Sequence, residues 1–425
     1  MTDETFNPGP NTASWLDRWD DSVMTTYGTP PIVIERGEKS TVWDVDGNEY
    51  LDLLSGIAVT SVGHANPAVA KAVADQVSTL IHTSNLYGHK RTIELSERLK
   101  GIVESYANTG NNTKVFYCQG GATANEAAIK LARRNAAKVQ GTETAGTRVK
   151  LISTNKAFHG RTSGSLTLTG KPEKRDQFLP LLDGVVYVDF NDLEQLEAAM
   201  DDDVAAIFLE PIQGEGGVNV ATDEYLAKAR ELATKYNALM IHDEVQTGIG
   251  RTGEWYYGLS RGVVPDVISS AKGLGGGMPI GASIALGNAA DLFEPGDHAT
   301  TYGGNPVTSA AALAVLDTIE NEAILDNVKT VGQYFKVEVL ALGHPAIVEV
   351  RGAGLLIAIE LTEPVAAEAV KLALAKGFLL NAVTPTAIRV APPLVITPDE
   401  LDTFVAVLPD ILDQVTTNGD LLGNE

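Results

Sequence analysis

Between residues 114 and 271 the chain returns again and again to short apolar runs with little polar interruption. They are KVFYC at 114–118, then 149–153, 185–190, 205–209, ALMIHDEV at 238–245, and 267–271. Stretches of helical period separate them, at 122–137, 192–200 and 223–236. A strand that is apolar at successive positions has no face to offer water, so it must be covered on both sides. Such strands alternating with helices are the pattern of a mostly parallel sheet sandwiched by helices. The spacing predicts an α/β fold whose large domain is built on that sheet.

The flanking sequence has another texture. Residues 41–54 (TVWDVDGNEYLDLL) read as two strands around the turn Asp46-Gly47. Helical periodicity follows at 67–80 and 91–103. Beyond Val307 the order is helix (307–321), helix (324–342), two strands within 348–361 broken at Gly352 and Gly354, a helix, short strands at 378–383 and 387–390, and a last helix at 398–415. We expect residues 1–64 to join a small domain, 65–320 to form the large α/β domain, and 321–425 to form the small α+β domain. Polar stretches at 105–113 and 140–147 read as surface loops, and the last ten residues as a loose tail.

Composition narrows the function. With 425 residues, 44% hydrophobic and 20% charged, the chain can bury a large core. Its 32 basic against 55 acidic residues leave a net charge of −23, which argues against nucleic acid or an anionic membrane as a partner. The same charge repels carboxylate substrates at long range, so capturing one requires local arginines. The single cysteine, Cys118, allows no intramolecular disulfide and no cysteine-based zinc site. The acidic start has no apolar core of a secretory signal. Two uncharged stretches of transmembrane length, 273–290 and 298–316, are broken by glycines and prolines. The expectation is a cytoplasmic protein.

Several chemistry-bearing residues stand at predicted strand ends, where ligands bind in open α/β sheets. Lys272 closes DVISSA and opens the glycine run 273–277. A lysine desolvated there can lose its proton and attack a carbonyl, although most lysines are merely solvated. Asp243, in Asp243-Glu244-Val245-Gln246, ends another apolar strand. It either caps a turn or faces a cationic ring nitrogen, as a pyridoxal cofactor requires. Gly120-Gly121-Ala122 lies between strand 114–118 and a helix, where free backbone N–H groups can hold a phosphate. Phe158 could stack on a planar group, and Arg161 and Arg389 could each bind a carboxylate through two hydrogen bonds.

One motif competes. Gly248-Ile249-Gly250-Arg251-Thr252-Gly253 matches G-x-G-x-x-G and would suit a nicotinamide-dependent oxidoreductase if a helix began there. The following WYYGLSRG has poor amphipathic character. No Walker-type lysine motif occurs. The seven histidines show no metal-ligand spacing, and His242-Asp243-Glu244 alternates faces along a strand, so no metal is expected.

LEPIQGEGG (209–217), DEVQTGIGRTG (243–253), AKGLGGGMPIGA (271–282) and TTYGGNP (300–306), in this order, resemble the class-III aminotransferases, fold-type-I enzymes that use pyridoxal 5′-phosphate. HTSNLY (82–87), FHGRTSGSLTLTGKPEKRDQF (158–178) and IRVAPPLVIT (388–397) are similar to the branch of that family acting on N2-acetylornithine and 2-oxoglutarate. The resemblance implies that Lys272 carries the cofactor and shuttles the proton, and that Asp243 pairs with the ring nitrogen. Glu244 falls among the cofactor-binding residues. Gln246 would contact the ring hydroxyl, Val245 and Phe158 the two ring faces, and Gly121 and Ala122 the phosphate. Thr301 would reach the phosphate of a neighbouring subunit, which implies a homodimer with shared sites. Arg161, with Thr300 nearby, would take a substrate carboxylate. Arg389 would take that of 2-oxoglutarate, and Glu215 would mask Arg389 while the donor is bound.

Ile57 stands where ornithine-specific relatives carry a tyrosine that contacts a free α-amino group. An isoleucine suits an acylated, uncharged nitrogen, or simply packs. Succinylornithine, ornithine and 4-aminobutyrate are the alternative donors. Where the family reads Asn-Ser-Gly-Ala-Glu, this chain has Gln119-Gly120-Gly121-Ala122-Thr123, losing a hydroxyl and a carboxylate near the expected phosphate.

Overall fold

The computed structural model describes residues 9–422. The chain divides into two compact units: Pro67–Asp326, and Met1–Asn66 together with Asn327–Glu425.

Strands β1 (Ile34–Glu38), β2 (Thr41–Asp44) and β3 (Glu49–Asp52) open the discontinuous unit as an antiparallel meander. In the continuous unit follow β4 (Thr113–Cys118), β5 (Lys150–Thr154), β6 (Val185–Val188), β7 (Val204–Leu209), the small pair β8 (Ile212–Gln213) and β9 (Asn219–Val220), β10 (Leu239–Asp243), β11 (Val267–Ser270) and β12 (Gly281–Leu286). The discontinuous unit closes with β13 (Ile347–Ala353), β14 (Leu356–Leu361), β15 (Phe378–Leu379), β16 (Asn381–Thr384) and β17 (Ala387–Val390).

Among the described residues the large sheet has seven strands in the order β4-β12-β11-β10-β7-β5-β6. All its pairings are parallel except those of β12, which runs antiparallel to both β11 and β4. Since β12 opposes both neighbours, β4 runs in the same direction as the rest. The loops after β4, β5, β7, β10 and β11 therefore emerge at one edge. Alternate residues of the central strands feed two cores, as strand geometry requires. Leu151, Phe208 and Ile241 lie in one cluster with Ala128, Leu131 and Ala132 of the helix Gly121–Gln140. Ile152, Ile207 and Met240 lie in the other with Tyr225, Leu226 and Leu232 of the helix Asp223–Lys235.

The expected strands and helices of this unit are present, with ends shifted by a few residues. The sequence reading missed β12: GASIAL is rich in small residues with weak strand preference. It fits here because the bare Cα of Gly281 lies against the Gly120 carbonyl, where a Cβ would come within 2.4 Å.

In the other unit, β3 pairs in parallel with β15, giving the order β1-β2-β3-β15, while β13-β14-β17-β16 form a second sheet. The single strand expected at 378–383 is thus two strands in different sheets. Two further differences concern the termini. A helix not anticipated from sequence, Pro10–Ser22, starts with proline at its first position. The last helix, Pro398–Leu422, runs through most of the expected tail, and residues 423–425 lie outside the described ones. No helix among the described residues is long and apolar enough to cross a membrane.

Candidate active site

Five loops at the carboxyl edge of the large sheet carry Gly121 and Ala122, Phe158 and Arg161, Glu215, Asp243 to Gln246, and Lys272. Asp243 ends β10, fully enclosed. Its Oδ2 accepts from Asn125 Nδ2 (2.7 Å) and pairs with His159 Nδ1 (2.8 Å), while Oδ1 accepts from the Val245 backbone N–H (3.1 Å). Asn125 also donates to the His159 carbonyl (2.8 Å), so helix, loop and strand are cross-tied at one carboxylate. Burial opposes charge on His159, but the hydrogen bond and charge of Asp243, helped by Glu210, hold its pKa above the ordinary histidine value.

Glu210, immediately after β7, is also enclosed. Burial pushes its carboxyl up to about 8; His159 pulls it down, Asp243 pushes it up, and the Phe158 N–H donates to Oε2 (3.1 Å). Gln246 Nε2 donates to Glu215 Oε1 (3.4 Å), and Lys171 Nζ donates to the Glu215 carbonyl (2.6 Å). Burial pulls the Lys171 pKa below its usual value against the charges of Glu215 and Glu210.

Lys272 follows β11, whose Ser269 is in register with Asp243. It begins a short 3-10 turn with φ 45°, a left-handed setting that only a constrained lysine holds. Lys272, Val245, Phe158 and Glu215 are half-buried, whereas the groups behind them, Asp243, His159 and Glu210, are buried. Arg161 is exposed, its guanidinium 5.7 Å from the Phe158 ring centre.

The helix Gly121–Gln140 presents its first turn beside this group. Gly121 packs on Val245 so closely that a Cβ would lie 2.7 Å from Val245 Cγ1. In front of Gly120, by contrast, a Cβ would meet nothing within 4 Å, leaving open space before the helix start. Thr123 replaces the missing carboxylate as a cap: its hydroxyl accepts from the Gly120 N–H (3.2 Å) and donates to the Gly120 carbonyl (2.9 Å). Gln119 reaches Thr300, donating to its hydroxyl (2.7 Å). Thr301 beside it is exposed.

This donor set fits pyridoxal phosphate. A buried carboxylate can hold a ring N–H⁺, an amine stands at the adjoining strand end, two half-buried side chains can cover the ring, and open space faces backbone N–H groups.

Glu244 departs from the expectation. It points away from Asp243, as neighbours on a strand do, and its carboxylate accepts from the Thr247 hydroxyl and from the N–H groups of Tyr257 (3.1 Å) and Gly258 (2.6 Å). It holds the loop behind the site instead. That loop settles the competing motif: Ile249 donates to the Trp255 carbonyl (2.7 Å) and Gly250 to that of Glu254 (3.2 Å), so the glycines fold back on themselves and start no helix. His242 is fully buried, and among the described residues neither ring nitrogen has a hydrogen-bond partner. Burial, with Arg230 adding, lowers its pKa to about 3, so it is a neutral core residue.

Ile57 and Arg389 belong to the discontinuous unit. Arg389 is buried in β17 between β14 and β16, and its Nε donates to Asn381 Oδ1 (3.3 Å). Ile57 is partly exposed on a turn of left-handed backbone.

The sequence reading gave no role to Asn125, His159, Glu210 or Lys171. Two carried a legible signal: Asn125 lies one helical turn past Gly121, and Glu210 directly follows an all-apolar strand.

Comparison with known proteins agrees with this geometry. The family model described as aminotransferase class-III matches residues 23–412. The acetylornithine aminotransferase of Mycobacterium tuberculosis is 48% identical over 403 residues, spanning 95% of this chain and 97% of its own. Among solved structures, the ornithine aminotransferase from Toxoplasma gondii ME49 superposes with a TM-score of 0.87 at 32% identity, covering 96% of each chain. The acetylornithine aminotransferase from Elizabethkingia anophelis does so at 0.82 and 31% identity, over 95% of this chain and 99% of the other.

Proposed function

The chain belongs to the class-III aminotransferases, whose cofactor is pyridoxal 5′-phosphate, and from that premise we propose that it moves the δ-amino group of N2-acetyl-L-ornithine to 2-oxoglutarate. The products are N-acetyl-L-glutamate 5-semialdehyde and L-glutamate, a step of arginine biosynthesis. The observation that carries this choice of donor is the near full-length identity to acetylornithine aminotransferases. The fold alone does not choose, because an ornithine enzyme superposes at least as well.

When bound, pyridoxal phosphate supplies an electron sink next to the reacting carbon. The Nζ of Lys272 would hold the cofactor between turnovers, take the proton from the donor δ-carbon and return it to the cofactor carbon on the far side of the transferred nitrogen. Asp243 keeps the ring nitrogen protonated, and Asn125 and His159 keep Asp243 aimed. Phe158 and Val245 confine the ring and exclude water, Gln246 meets the ring hydroxyl, and the N–H groups of Gly121 and Ala122 hold the phosphate. Arg161, together with Thr300, takes the donor carboxylate. Arg389 takes that of 2-oxoglutarate. Ile57 meets the acylated nitrogen.

Two protomers share each site in this reading, with Thr301 reaching the phosphate of the neighbour. An apolar patch supports it: Ile81, Leu86 and Tyr87 are exposed, and Tyr302, 5.5 Å from the His82 ring, is exposed beside them. The cytoplasm is the compartment we assign.

Steady-state comparison of donors tests the proposal. Ping-pong kinetics and a kcat/KM for N2-acetylornithine at least about tenfold above that for ornithine or 4-aminobutyrate are expected, roughly what one apolar-for-polar contact is worth. Higher efficiency with free ornithine contradicts it.

A further inference from the structure

Residues Ser55, Gly56, Ile57 and Ala58 all have positive φ, at 49°, 62°, 66° and 62°. Left-handed backbone is ordinarily visited by single residues, and for a β-branched side chain such as Ile57 it is an outlier. Three non-glycine residues within a run of four keep it only because their surroundings over-determine it.

Those surroundings are specific. Asp52, the last residue of β3, turns its carboxylate under the turn. Oδ1 accepts from the N–H groups of Leu54 (3.0 Å) and Ser55 (2.7 Å), and Oδ2 is fixed by His64 Nε2 (2.7 Å). The Ser55 hydroxyl donates to the Ala391 carbonyl (2.6 Å), and the Ala391 N–H donates to Leu53 (2.8 Å). Ala391 directly follows β17, two residues past Arg389. The strained turn and the arginine strand are therefore tied at both ends of one residue.

We infer that Asp52 and Ser55 are positioning residues for donor specificity: they hold the Ser55–Ala58 turn left-handed, so that Ile57 offers a fixed apolar face in constant relation to Arg389. The inference rests on the proposed reading of Ile57 as the residue that meets the acylated nitrogen. A relaxed turn would swing the Ile57 side chain to another direction without changing its chemistry. Discrimination between acylated and free amines would then fall, while the covalent chemistry at Lys272 continued.

Two sets of variants of the holoenzyme test this. In the first, the ratio of kcat/KM for N2-acetylornithine over ornithine is measured for Ile57→Ala, Asp52→Ala and Asp52→Asn. Asparagine retains an oxygen for the two N–H groups and serves as the conservative rescue. Asp52→Ala is expected to lose about tenfold of the ratio, mostly through donor KM, as Ile57→Ala does, while Asp52→Asn stays within about threefold of wild type. The dissociation constant of pyridoxal phosphate should not move. If Asp52→Ala keeps the wild-type ratio while Ile57→Ala loses it, the positioning role is wrong and the reading of Ile57 stands. If Ile57→Ala keeps the ratio, the reading of Ile57 fails and takes this inference with it.

The second set needs no activity and survives a poorly folding Asp52 variant. Ile57→Gly and Ile57→Ala remove nearly the same side chain, but only glycine relieves a positive φ. Ile57→Gly should melt about 1–3 °C above Ile57→Ala, reversing the usual order of these residues. Alanine melting at or above glycine would show that no strain is held there and overturn the inference.

Discussion

At the scale of single residues, the site is a set of paired choices between charge and burial. Asp243 is buried with three partners, Asn125, His159 and the Val245 N–H. Glu210 is left with one backbone N–H, and burial lifts it to about 8. The sign of its effect on stability follows from proton counting. Between the ordinary glutamate value of 4.5 and about 8, the folded chain keeps a proton that the unfolded chain has released, so stability falls as pH rises through that window. Glu210→Gln removes the titration but keeps an acceptor for Phe158. Melting curves from pH 5 to 8.5 should show wild type losing stability relative to Glu210→Gln as pH rises; a constant difference contradicts the raised value. Sequence alone did not reveal this layer. Side chains at predicted strand ends carry recognisable chemistry, whereas His159 matters through its contact with Asp243, distant in the chain.

At the scale of elements, strand ends do the work. Helix Gly121–Gln140 can bring its first turn against β10 only because Gly121 has no side chain facing Val245. Gly121→Ala should cost about 1–3 kcal/mol of cofactor binding by overpacking, read as a weaker dissociation constant in a spectroscopic titration. Adding Val245→Ala removes the obstructing methyls and should restore most of the loss, while purely additive effects would show that the contact is irrelevant. This level was largely legible in advance: unbroken apolar runs announced the buried strands, and Lys272, Asp243 and the Gly120-Gly121 turn each stood at the end of one. What escaped was set by tertiary context. The small residues of β12 become a strand between β4 and β11, and residues 378–383 split because Phe378–Leu379 finds β3 while Asn381–Thr384 finds β17. The G-x-G-x-x-G match gave the opposite lesson, since its spacing was right and its backbone was not.

At the scale of the whole molecule, a net charge of −23 repels a dianion such as 2-oxoglutarate at long range, so the proposed reaction requires local arginines to capture it. The exposed patch around Leu86, Tyr87 and Tyr302 belongs to the same scale. Light scattering should give twice the chain mass of 45.0 kDa, and Leu86→Glu should shift the population toward monomer with parallel loss of activity. A fully active monomer would end the shared-site reading. The central claim is more local, and one measurement addresses it directly: borohydride reduction of protein loaded with pyridoxal phosphate, followed by peptide mass analysis. A pyridoxyl-phosphate adduct on the peptide containing Lys272, absent from Lys272→Ala, is the expected result. An unmodified Lys272, or a label on another lysine, would contradict the account.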